Sequence, residues 1–135
     1  MNQMAETENL EEWQAGISID TKEYRIRIHK RTIHLLGDPE YIQILVNPVK
    51  CQIAIRPSTQ KDYLALHVRK TQRECVFQTI NLIRNIQAIA GCLLEPATYR
   101  LYGRLCRQDH ALYFPLEQYS NSSLEKKDSG GQDGQ

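Results

Sequence analysis

Alternation of apolar and polar side chains dominates the first half of the chain. "GISID" at 16–20 alternates, and "YRIRIH" at 24–29 does so more strictly: Tyr24, Ile26 and Ile28 share one face of an extended segment, and Arg25, Arg27 and His29 share the other. "KRTIHLLG" then changes period, with Ile33 and Leu36 three apart and Gly37 placed to close a short helix. "DPE" begins a turn, "YIQILV" is the next strand, and the Asn and Pro of "NPVK" favour reversal into "CQIAIRP". The last two runs make a hairpin.

A polar loop leads to "YLALHV", another candidate strand. Thr71 and Glu74 then have the T-x-x-E spacing of a capping box. The following run, "CVFQTINLIRNIQAIAG", carries Val76, Ile80, Ile83 and Ile86 at spacings of four and three, continued by Ile89 and Ala90. Gly91 ends it and Pro96 lies shortly beyond, which predicts an amphipathic helix. "TYRLYGRLC", the turn "RQDH" and "ALYFPL" form a second hairpin rich in Tyr, Phe and Leu. The expected fold is α+β: small antiparallel or barrel-like hairpins with one short helix and one long amphipathic helix. There is no β-α-β alternation and no heptad run.

Composition sets the limits of this domain. Residues 1–15 are polar and acidic, and 120–135 are Ser, Asn, Gly, Gln, Lys, Asp and Glu with one Leu, too little apolar surface to offset the entropy of ordering. A flexible N-terminus, one folded domain over 16–119 and a disordered polar tail are expected. The apolar fraction of 41% over 135 residues suits a single core. No apolar run is long enough to span a membrane, and the acidic start lacks the pattern of a secretory signal, so the expected location is the cytoplasm.

Little in the chain resembles catalytic chemistry. Cys51, Cys75, Cys92 and Cys106 are 24, 17 and 14 positions apart, without a C-x-x-C pair, and read as structural thiols. No Gly-rich phosphate loop, nucleophile elbow or H-E-x-x-H pair occurs. His29, His34, His67 and His110 read as surface or capping residues. The expectation is a protein that is not an enzyme and uses no cofactor or metal.

Charge changes the picture most. The net charge is only +1, yet residues 1–21 hold five acidic residues and no Lys or Arg, whereas 22–73 hold eleven Lys or Arg against four Asp or Glu. Such segregation suggests an anionic partner. Arg25, Arg27, His29, Lys30 and Arg31 fall within seven positions. Lys and Arg in such a cluster neutralise phosphates and release counterions, and Arg adds bidentate recognition of phosphate or guanine. The competing reading is that these charges solvate the outer face of a half-buried strand and deter edge pairing.

From Gly16 to Pro57 the order of elements resembles the AbrB/MazE-type swapped-hairpin DNA-binding domain of bacterial transition-state regulators and antitoxins. The likeness lies in Gly16, the "YRIRI" strand, "KRTIHLLG" with Leu36-Gly37, "YIQILV" and "QIAIRP". Tyr24 stands where that family usually has Gly, and His29 where it commonly has Pro. "LGDPEYIQILVNP" also resembles small proteins of Gram-positive bacterial mobile elements. The first resemblance implies a transcription regulator, an intertwined homodimer presenting Arg25, Arg27, His29, Lys30 and Arg31 to double-stranded DNA. The alternative is a protein-interaction module, a mobile-element accessory protein, whose contact surface would be Tyr99, Tyr102, Tyr113 and Phe114.

Overall fold

The computed structural model describes residues 15–69, 73–91, 93, 95–117 and 119–121. Its elements are β1 (Ala15–Asp20), β2 (Arg25–His29), α1 (Lys30–Leu35), β3 (Tyr41–Asn47), β4 (Gln52–Ser58), β5 (Leu66–His67), β6 (Glu74–Gln78), α2 (Ile80–Ala90), β7 (Thr98–Cys106), β8 (Ala111–Pro115) and β9 (Tyr119–Asn121). The chain is mostly antiparallel sheet, wrapped into a nearly closed barrel. Across the sheet the strands run β5-β3-β4-β8-β7-β1-β2-β6, with β9 also on β7. Of the expected ends, 1–15 and 120–135, residues 1–14 and 122–135 lie outside the described residues; Ala15 is already the first residue of β1, and Ser120 and Asn121 belong to β9.

Three hairpins use one loop design. Residues 21–24, 48–51 and 107–110 each span four positions, and the last of each is left-handed: Tyr24 at φ 55°, Cys51 at 53° and His110 at 51°. Two of the loops are held by the side chain before them. Asp20 Oδ1 accepts the N–H groups of Lys22 and Glu23 at 2.9 and 3.1 Å. Asn47 Oδ1 accepts those of Val49 and Lys50 at 3.0 and 3.1 Å. These Asx turns are the local reason the chain reverses there. Tyr24 therefore belongs to the turn rather than to the strand that follows it.

Strand β7 joins the two halves of the barrel. Residues Thr98 to Gly103 pair with β1, and Arg104 to Cys106 pair with β8. Gly103 sits where the partner changes. A Cβ built there would lie 2.5 Å from Phe114 Cδ2 and 2.5 Å from the Tyr113 carbonyl oxygen. The Phe114 ring thus packs directly on the backbone of β7, and it is completely buried. Ile17, Ile19, Ile26, Ile28, Ile53 and Ile55 fill the space around it from both halves. These strands are fully covered within one chain, and burial of their apolar faces needs no second copy.

Helix α1 ends in a Schellman motif: Gly37 at φ 84° donates its N–H to His34 O at 2.9 Å, and Asp38 donates to Ile33 O at 3.3 Å. Its single buried hydroxyl ties it to the barrel. Thr32 Oγ1 accepts from Gly16 N at 3.0 Å and donates to Gly16 O at 2.8 Å. Helix α2 buries Ile83 and Ile86 and closes at Gly91, left-handed at φ 61°.

The second half corrects the expected elements. Glu74 does not cap a helix; it opens strand β6, where Cys75 is buried and Glu74, Val76 and Gln78 point outward. Thr71 lies outside the described residues. The helix begins only at Ile80, and its N-cap Thr79 makes no side-chain capping bond. "ECVFQ" satisfies a period of two as well as a helical spacing, and pairing with β2 decides for the strand. "YLALHV" keeps only Leu66 and His67 as strand. β5 and β6, the two edges, face each other across a gap lined by Leu66, His67, Val76 and Phe77.

Gly103→Ala is expected to destabilise the fold by about 1–3 kcal/mol through overpacking. Phe114→Leu in the Gly103→Ala background should then cost less than it does alone, because the smaller side chain relieves the clash. Urea unfolding of the four proteins of this cycle measures it; strictly additive losses would refute the packing role of Gly103.

Candidate nucleic-acid interface

The register of β2, β1 and β7 builds the site. Ser18 pairs with Arg27 on one side and with Arg100 on the other. The neighbouring row, Ile28, Ile17 and Leu101, points into the core. Arg27 and Arg100 therefore stand on the outer face about 10 Å apart at their Cα atoms, with only a short serine side chain between them. A shallow hollow of about 260 Å³ opens here, walled by Ser18, Arg27, His29, Arg31, Arg100 and Tyr102.

Helix α1 supplies the third cation. His29, its N-cap, accepts the Arg31 N–H on Nδ1 at 3.1 Å, and the Thr32–Gly16 bonds fasten the first turn over the end of β1. Arg31 is thereby fixed at the rim of the hollow, and it is exposed. One carboxylate shares the site: Glu74, directly across the strand pair from His29.

The five residues singled out in the sequence do not all converge. Arg27, His29 and Arg31 do. Arg25 lies at the other end of β2, where its guanidinium meets Asp20 Oδ2 at 3.3 Å, and its Nε is buried without a partner. Lys30 lines a separate hollow of about 640 Å³ with His34, Asp38 and Arg69. The aromatic surface is corrected as well. Tyr99 and Phe114 are core residues, 3% and 0% exposed, and the half-buried Tyr113 donates its O–H to Asp109 Oδ2 at 2.7 Å. Tyr102 alone of the four is exposed, at 45%, and it belongs to the basic hollow.

Arg100 and Tyr102 were missed as partners of Arg27 because no spacing within the chain links them. A signal was present in "TYRLYGR", which alternates outward Arg100, Tyr102 and Arg104 just as "YRIRIH" alternates its cations. Only strand order shows that the two patterns share one face.

Burial would raise the Asp20 carboxyl, but the N–H groups of Glu23 and Lys22 and the Arg25 guanidinium outweigh it and hold the pKa below its ordinary 3.8. That ion pair anchors the first hairpin and takes Arg25 out of the binding surface. Burial pushes the Cys75 thiol up, so it stays protonated and packs as a small apolar group. Cys92 lies outside the described residues.

Comparison with protein-family models, with curated proteins and with solved structures finds no match. The functional assignment accordingly stands on the geometry of the hollow. No helix among the described residues is long and apolar enough to cross a membrane.

Asp20→Asn keeps an acceptor for the turn and removes the charge facing Arg25. Because the folded carboxyl is held down, its stabilisation is present above about pH 3.8 and is lost as pH falls through the lower folded value. The variant should be less stable than wild type by about 1–2 kcal/mol at pH 7, with the difference shrinking as pH falls below 3.8 and through the lower folded value. Denaturant unfolding across pH measures this; a difference independent of pH would dismiss the ion pair.

Proposed function

We propose that the protein binds nucleic acid through the outer face of β2, β1 and β7, with Arg27, Arg31 and Arg100 gripping phosphates of the backbone. The row Arg27–Ser18–Arg100 carries this reading, because the fold joins arginines from two distant segments and the N-terminus of a docked helix brings a third. Guanidinium groups pair with phosphate oxygens in planar, two-pronged fashion, and the Ser18 hydroxyl is a further donor between them. Grouping like charges costs self-repulsion on the free protein, which an anionic ligand relieves.

The resemblance over Gly16–Pro57 supports a biological setting, a small DNA-binding regulator of transcription. In this reading β2 contributes Arg27 and His29, α1 contributes Arg31, and Arg25 serves the hairpin instead. A single chain provides the complete face. A homodimer, as the resemblance implies, would present two such faces.

The triple variant Arg27→Ala, Arg31→Ala, Arg100→Ala should lose most of its affinity for DNA at low salt. The slope of log affinity against log salt should fall by about 0.9 for each phosphate contact removed. Arg25→Gln should leave that slope unchanged. Fluorescence anisotropy with labelled DNA across a salt series measures both, with circular dichroism confirming that the variants fold. Wild-type affinity and slope in the triple variant would end this proposal.

A further inference from the structure

The basic hollow does not stop at Arg100. Along the outer face of β7, Arg100, Tyr102 and Arg104 recur every second residue, about 7 Å apart. Tyr102 thus stands between two guanidinium-bearing positions on one strand, with its side chain open to solvent. Past Arg104 a second hollow, of about 640 Å³, is walled partly by Lys50 and Arg107. Its carboxylate, Asp109, already accepts the Tyr113 O–H, which holds it below the usual carboxylate range. The outward positions Arg100, Tyr102 and Arg104 of β7 therefore link the hollow of Arg27 and Arg31, which holds Glu74, to that of Lys50 and Arg107, which holds Asp109.

We infer that the ligand of this surface is single-stranded nucleic acid, its phosphates in the two hollows and a base stacked on Tyr102. The inference rests on the nucleic-acid reading above and departs from the duplex that the resemblance over Gly16–Pro57 implies. Two physical points favour it. Reading a duplex requires an element that enters a groove, a helix or a two-stranded ribbon. Here the cations sit on barrel strands and on the walls of shallow hollows, and α1, six residues long, is pinned to β1 by the buried Thr32. The second point is Tyr102 itself. Duplex bases are stacked on one another, whereas a single strand offers the face of every base to an exposed ring, and cations on either side track its backbone.

The test uses the full chain and two labelled probes of about twelve nucleotides, a single-stranded oligothymidylate and a mixed-sequence duplex, in anisotropy titrations at about 50 mM salt. The single strand is expected to bind at least about tenfold more tightly than the duplex. Tyr102→Ala should lower single-strand affinity by roughly ten- to a hundredfold with the salt slope unchanged, because a stacking contact and no phosphate contact is lost. Tyr102→Phe should restore it. Equal binding of both probes, with Tyr102→Ala silent and the triple arginine variant defective, overturns the inference and leaves the nucleic-acid reading in place. Failure of both probes to bind overturns the reading itself.

Discussion

The contact of the Phe114 ring with the bare backbone of Gly103 governs the way this barrel is built. Strand β7 pairs with β1 and β9 along its first part and with β8 along its last, and Gly103, with no side chain, stands where β1 gives way to β8. Glycine at such a position lets a large side chain of the neighbouring strand lie directly on the backbone. From that point β1 and β2 extend the sheet on one side and β4 and β3 on the other. The isoleucines of both halves then meet in one interior.

The exterior follows from the same register. Antiparallel pairing puts residues across from one another in rows, so an inward row of Ile28, Ile17 and Leu101 implies an outward row of Arg27, Ser18 and Arg100. The outer cations are tolerated because water solvates them and the core carries the stability. Arg25 shows the other outcome. On the same strand, two positions away, it is drawn into an ion pair with Asp20 and becomes part of the hairpin. Two arginines that look equivalent in "YRIRIH" therefore differ in role, since one has a buried carboxylate opposite it and the other has a serine.

Much of the β structure was legible in the chain: the alternating runs, the reversal after Asn47, and the Gly37 and Gly91 helix ends; the Asx turn after Asp20 was not. The capping box at Glu74 was not real. Five residues of "ECVFQ" fit two periods, and the strand β2 beside them, distant in sequence, makes the choice. Similarly, the cluster at 25–31 was visible as a concentration of charge, while its division into Arg27, His29 and Arg31 on one hollow, Lys30 on another and Arg25 in an ion pair was not. The aromatic residues of the last hairpin were visible as a group; their partition into two core rings, one half-buried ring and one exposed ring was not.

Local chemistry thus settled which segments are extended, where the chain turns and where positive charge accumulates, because those depend on neighbours within a few residues. The tertiary structure alone decided that Arg100 and Tyr102 join Arg27 and Arg31. Their adjacency comes from hydrogen-bonded register between β1 and β7, strands separated by most of the chain. That register buries Ile17, Ile19, Tyr99 and Leu101 in the shared core, and no periodicity within a single segment encodes it.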